Sequence, residues 1–394
     1  MTTAATAVAA QVSKLATKKL KEYEERNLED HHSGHRQHPH GGSDRPWNHE
    51  LHGPRPNGIL NTKQILRERK TAQFGRSFCI FIAEVYHVEF AEFADFLYLC
   101  SIFCIYGMKK TDALLQLGRQ ILCKLWELQR QRHLEPSATP IDIVIPIIRK
   151  DLDILPLCLQ GVRKHVNQNV KNIYIVAPDD ADIKAFCQHE QLVYIDETSV
   201  LQMAPKELGL VAIRANGTQV DRSGWLFQQL VKLSGNIGTC DYYLTIDADH
   251  ILMQPHVFLT ADDTPVFYMS DECNTAYYKN IHRLTKHHYW SLLSYVDHKM
   301  LFSKKELARV RLMIEQANGG KEWKQAILDS YDRMETSGFS EFELYGDFVT
   351  RKIKQPWRHL KLGYGSLASY EELSASYADQ YMCITFPCYL KKSK

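Results

Sequence analysis

The 394-residue chain has almost no net charge: Lys and Arg number 48 against 46 for Asp and Glu, a balance of +2. A global basic field for nucleic acid is therefore absent, and any anionic ligand needs a local device. The ten cysteines contain no CxxC pair, which argues against a zinc ribbon. Most lie among apolar neighbours, as in Phe78-Cys79-Ile80, and read as free buried thiols of a reducing compartment. Long apolar runs are missing too. The strongest, Phe96 to Tyr106 (FLYLCSIFCIY), falls well short of the ~20 residues of a membrane span. The acids just before it, Glu84, Glu89, Glu92 and Asp95, would be costly in lipid, so a buried helix pair is preferred. The first 21 residues lack any acid and any apolar core of the kind a secretory signal needs. Their Ala/Thr/Lys bias faintly resembles an organelle transit peptide, but Arg is missing. A cytoplasmic protein is the expectation.

What is present divides the chain unevenly. Residues 1–30 suggest a modest amphipathic helix. Of the 18 histidines, 7 lie between His31 and His52, in a His/Gly/Pro-rich stretch unable to bury a core. Residues 1–58 are therefore expected to be a disordered or partly helical tail. Residues 59–138 read as helical, with Leu114, Leu117, Ile121, Leu125 and Leu128 forming an apolar stripe. At Ile141 the pattern changes. Ile141–Pro146 is a short β-branched run, the mark of a buried parallel strand. Leu155–His165 reads as helix, Asn172–Pro178 as strand, Ala181–His189 as helix and Leu192–Ile195 as strand. This alternation predicts βαβ units and a doubly wound α/β domain over 139–394.

The most informative stretch is Asp241–His250, DYYLTIDADH. An apolar strand runs straight into two carboxylates one residue apart. In extended chain, positions i and i+2 share a face, so Asp247 and Asp249 would converge at a strand's carboxyl end. Ligands bind at that edge in open α/β sheets. Two convergent carboxylates suit a hard divalent cation, which could bridge a nucleotide's phosphates. The bland alternative is a surface turn or a pair of helix caps. Upstream, Ser223–Leu233 reads as a helix carrying Trp225, Gln229 and Lys232 on one face. Gln229 could bond sugar hydroxyls and Lys232 could neutralise phosphate. Equally, Trp225 could pack in the core while the other two face water. His298, just before an apolar run, is a candidate third metal ligand or a structural histidine. Glu341 and Glu343 form a second i, i+2 carboxylate pair. Held among aromatics, one could act as general base; alternatively they are a solvated pair at a helix start capped by Ser340.

The ordered blocks IDIVIPIIRKD, IYIVAP, SGWLFQQLVKL, YYLTIDADHILMQP, HKMLF and FSEFELYG resemble a DUF6492-like family of poorly characterised glycosyltransferases of the GT-A fold. The resemblance runs from about Ile141 to Gly346. It implies a Rossmann-like, mostly parallel sheet flanked by helices, here with an N-terminal helical extension. It further implies a nucleoside-diphosphate sugar donor and Mn2+ or Mg2+ bound through Asp247 and Asp249. Pro146 and Asp179 would lie near the base and ribose, with Trp225, Gln229 and Lys232 beside the donor. Glu341 or Glu343 would meet the acceptor. The family block commonly carries a second histidine where this chain has Lys299, leaving His298 to ligate. The expected activity is sugar transfer to a glycan, lipid-linked or small-molecule acceptor, with no nucleic acid partner. Peripheral membrane contact through the N-terminal region would suit a lipid-linked acceptor. The rivals are a sugar nucleotidyltransferase and a non-catalytic scaffold that binds nucleotide sugars. The first normally needs a glycine-rich loop after the first strand, where this chain reads Pro146-Ile147-Ile148-Arg149-Lys150-Asp151.

Overall fold

A computed structural model describes Cys123, residues 133–289, 291, 293–356 and 358–387, and Leu390. The tail, the leucine stripe as a whole and the Phe96–Tyr106 run lie outside the described residues. Among the described residues, no helix is long and apolar enough to cross a membrane.

The elements in chain order are β1 (Ile141–Pro146), α1 (Leu155–His165), β2 (Val170–Ala177), α2 (Ala181–His189), β3 (Val193–Asp196) and α3 (Glu197–Leu201). A hairpin follows, β4 (Val211–Ile213) and β5 (Gln219–Asp221), then α4 (Ser223–Leu233), β6 (Tyr242–Ile246), β7 (His250–Leu252) and β8 (Val266–Met269). The chain continues with α5 (Thr275–Thr285), β9 (Lys299–Ser303), α6 (Lys304–Ala317), α7 (Trp323–Ser330) and α8 (Glu341–Phe348). It ends with β10 (Ile353–Pro356), β11 (His359–Lys361), α9 (Tyr370–Tyr377) and β12 (Cys383–Thr385).

The central sheet has five strands in the order β3-β2-β1-β6-β9. All pairings are parallel except β6 with β9. This is the mostly parallel α/β sheet that the strand–helix alternation predicts. β1 is buried along its whole length, which is why it reads as an unbroken apolar run. Its one acid, Asp142, is buried because the next crossover uses it. Thr239 N–H and Cys240 N–H donate to Asp142 Oδ2 at 2.6 and 2.8 Å. Gly238 turns there at φ +72°, and a Cβ would lie 2.3 Å from the same oxygen. Local signals set the helix starts. Pro156 stands in the first turn of α1, and the Asp180 side chain accepts from Asp182 N–H and Ile183 N–H at the start of α2.

A second, three-stranded sheet, β11-β12-β7, lies downstream of β6. Its strand β7 packs tightly on α1. A Cβ on Gly161 would sit 2.8 Å from both the N and the O of Leu252. That approach fixes β7, and with it the turn that leads out of β6. Five of the six described cysteines are buried, as the apolar surroundings predict.

Alanine at Gly161 should gain about 1 kcal/mol of helix propensity, but the clash with Leu252 should outweigh it. We expect Gly161→Ala to lower unfolding free energy by about 1–3 kcal/mol in denaturant titrations. A neutral or stabilising result would show that α1 and β7 are not in close contact.

Candidate metal centre

The carboxyl ends of β1, β2 and β6 lie on one edge of the central sheet, the edge at which open α/β sheets bind ligands. β6 ends at Ile246, paired with Lys299 of the antiparallel β9. One residue further, Asp247 N–H donates to His298 O at 2.9 Å. The register of β6 and β9 thus sets Asp247 opposite His298. The chain then turns: His250 N–H donates to Asp247 O at 3.0 Å, and Phe386 N–H to Asp249 O at 2.9 Å. The two aspartates therefore converge around a turn, not along an extended strand as the spacing suggested. The last pair of β6 and β9 is Ile246 with Lys299, and the chain turns after Asp247, so the pleat does not continue to Asp249.

Asp247, Asp249 and His298 each offer a ligand atom, and these atoms lie within 4.8 Å of one another. Asp247 is gripped on both oxygens. Lys232 Nζ donates to its Oδ1 at 2.8 Å, and His298 Nδ1 lies 3.1 Å from its Oδ2. Burial opposes the charge on Asp247, but Lys232 and then His298 hold its carboxyl well below the usual carboxylate range. For Asp249 the nearby His298 charge does not outweigh the opposing effects. Burial, then the neighbouring Asp247 charge, push it up to about 6. Burial disfavours the imidazolium of His298, yet the Asp247 carboxylate outweighs it and raises its pKa. The His298 backbone is left-handed, at φ +57°, a conformation that non-glycine residues hold only where the surroundings impose it. Flanking Asp297 and Lys299 impose it here: Lys299 Nζ donates to Asp297 Oδ2 at 2.6 Å, and both side chains are buried.

Lys232 is also bound to Glu341, whose Oε1 accepts at 2.9 Å. The sequence grouped Lys232 with Trp225 and Gln229, but only Lys232 reaches Asp247. Seven helical residues span about 10 Å, so a shared face is not a shared site. Trp225 stacks under Arg222, 4.4 Å from the guanidinium to the ring centre. Gln229 is buried and its Nε2 donates to Trp225 O at 3.3 Å. The alternative in which Gln229 and Lys232 face water is overturned, since both are buried.

Glu341 and Glu343 are not a solvated pair either, since both are buried in the first turn of α8, behind the Ser340 cap. Residues i and i+2 of a helix point apart. Glu341 turns to Lys232. Glu343 turns into a pocket where Ser294, Tyr289 and Tyr278 hydroxyls donate to it at 2.5, 3.1 and 3.3 Å. Pro146 is buried at the end of β1. Asp179 faces solvent beyond β2, 2.5 Å from Lys184 Nζ.

The sequence did not single out His250, His359, Glu272 or Lys361, and it marked Lys299 only as a departure from the family block. His250, His359 and Cys383 form a second cluster of potential ligands behind the first. An ammonium already sits within it: Lys299 Nζ is 3.2 Å from His250 Nε2 and 3.8 Å from Cys383 Sγ. Burial and then the Lys299 charge keep His250 well below its ordinary pKa, so it stays neutral. At the mouth, Lys361 Nζ lies 2.6 Å from Glu272 Oε2, which in turn lies 3.9 Å from His298 Nε2. The only sequence hint for this layer was the Asp297-His298-Lys299 triplet, two charges entering an apolar strand.

A family model described as a family of unknown function, DUF6492, matches residues 138–378. The chain belongs to the DUF6492 family. The match spans the whole central sheet and the aspartate–histidine cluster. No curated protein matches the chain. Among solved structures, it is similar to mouse xyloside xylosyltransferase 1 in the apo form, at 9% identity and a TM-score of 0.39, over 65% of this chain and 100% of that one. It is also similar to an active-site mutant of LgtC, at 12% identity and a TM-score of 0.34, over 62% of this chain and 87% of that one.

Glu343 generates a pH test. Burial, against the three hydroxyls, pushes its pKa from 4.5 up to about 7. The folded state then binds the proton more tightly than the unfolded state. Its contribution is full below pH 4.5 and is lost as pH rises to about 7. Glu343→Gln should therefore be more stable than wild type at pH 8, by at most about 3 kcal/mol, and equal to it below pH 4.5. A difference that stays constant with pH would contradict this reading.

Proposed function

We propose that this chain is a metal-dependent glycosyltransferase, moving a sugar from a nucleoside-diphosphate sugar to an acceptor hydroxyl. The observation that carries the reading is the Asp247–Asp249–His298 cluster, with three ligand atoms within 4.8 Å at the carboxyl edge of a mostly parallel sheet. The donor set fits a divalent cation. His298 Nε2 is buried without a hydrogen-bond partner, and Asp247 Oδ2 is turned toward His298 and away from Lys232. Two carboxylates and an imidazole suit Mn2+ better than Mg2+, which prefers oxygen ligands. Such an ion would supply charge stabilisation for the departing nucleoside diphosphate.

The protein's own groups divide the remaining work. Lys232 is already engaged by two carboxylates and its side chain is 4% exposed, so it is a poor phosphate ligand. Lys361, at 31% side-chain exposure, is better placed to meet a diphosphate beside the cluster. Glu341 and Glu343 are buried, so neither presents an oxygen to an acceptor. In this reading Glu272, half-exposed beside His298, is the carboxylate that meets the acceptor hydroxyl. After β1 the chain forms the short turn Arg149–Asp151, with no glycine-rich phosphate cradle. That feature disfavours a sugar nucleotidyltransferase.

Calorimetry with a panel of nucleotide sugars, with and without Mn2+, tests the reading. We expect donor binding to require Mn2+ and to be lost in Asp247→Ala and Asp249→Ala. Lys361→Ala should weaken donor binding about tenfold while leaving the binding of Mn2+ alone unchanged. Aspartate variants that bind nucleotide sugars as the wild type does would sink the proposal.

A further inference from the structure

The three elements that meet at Lys232 give it a role distinct from donor binding. Lys232 stands on α4, Asp247 follows β6, and Glu341 opens α8. The Lys232 ammonium lies between the two carboxylates, at 2.8 and 2.9 Å, and 4.5 Å from the centre of the Phe342 ring. The Lys232 and Glu341 side chains are 4% and 1% exposed, so neither meets a soluble ligand directly.

We infer that Lys232 and Glu341 are a positioning pair that sets the orientation of Asp247 and the affinity of the site for its divalent ion. The inference rests on the metal-dependent reading above. Two effects carry it. Lys232 holds Asp247 Oδ1 and so stops the carboxylate rotating, which leaves Oδ2 turned toward His298. Lys232 is also a cation beside a cation site, and it opposes entry of a divalent ion. Glu341 shares the ammonium and offsets that opposition. Without the Glu341 charge, the field of Lys232 falls on the site uncompensated, and the ion binds less tightly. Without Lys232, the buried Glu341 and the part-exposed Asp247 lose their shared counter-ion, and a divalent ion becomes its replacement. A plain structural tie between α4 and α8 would behave differently. Breaking it would lower stability and leave ion affinity unchanged.

The test uses the full chain and Mn2+ alone. Calorimetry compares wild type with Glu341→Gln, in which the amide oxygen still accepts from Lys232. Thermal unfolding with and without Mn2+ compares wild type with Lys232→Met. We expect Glu341→Gln to bind Mn2+ about tenfold more weakly with little change in metal-free Tm. Mn2+ should raise the Tm of Lys232→Met by more than it raises that of the wild type. Wild-type affinity in Glu341→Gln, or equal Tm shifts in Lys232→Met and wild type, overturns the inference while leaving the metal site standing. If one variant does not fold, the other decides alone. A wild type that takes up no Mn2+ overturns the metal reading and this inference with it.

Discussion

Asp247 sits where a buried strand meets solvent, and it keeps its charge there because Lys232 and His298 hold its two oxygens from opposite sides. Everything else in the site is arranged around that grip. Breaking a buried charge pair on one side typically costs about 3–5 kcal/mol, because the partner is left uncompensated. The protein meets this demand with a ladder of alternating charge, Glu341–Lys232–Asp247–His298. Behind it, Lys299 is paired with Asp297 in a separate buried layer. The two layers touch through stacked imidazoles, with the His250 and His298 ring centres 5.7 Å apart.

The sheet architecture makes this possible without a basic surface. A net charge of +2 leaves no long-range field to attract a diphosphate. In the proposed reading the charge needed is local: one divalent ion on Asp247, Asp249 and His298, with Lys361 at the rim. The parallel strands β1 and β6 bring their carboxyl ends to one edge, and the single antiparallel strand β9 delivers His298 to the same point. The tight packing of α1 on β7 fixes where β6 must turn.

Much of the scaffold was legible in the chain. β1 shows as an apolar run because it is buried along its length, and α1, α2 and α4 begin and end where the pattern places them. Asp247 and Asp249 could be singled out because an apolar strand ending in two acids has few structural excuses. Their convergence around a turn could not, since it depends on where the pairing of β6 with β9 ends, which is after Ile246. The partners of Lys232 were hidden for a different reason. Glu341 lies 109 residues away, and local periodicity carries no information about such a pairing. Glu341 and Glu343 were misleading as a pair because an i, i+2 spacing converges in a strand and diverges in a helix. His250 and His359 meet at Thr385 only through the pairing of β7, β12 and β11, which no local signal in the sequence foretells.

The central claim is that Asp247, Asp249 and His298 hold a divalent ion. The most direct measurement is an anomalous difference map from crystals grown with Mn2+ and a nucleoside diphosphate. The account requires one strong peak bonded to Asp247, Asp249 and His298, with Lys232 still on the far oxygen of Asp247. A peak at His250, His359 and Cys383 instead, or no peak with nucleotide bound at the sheet edge, would contradict it.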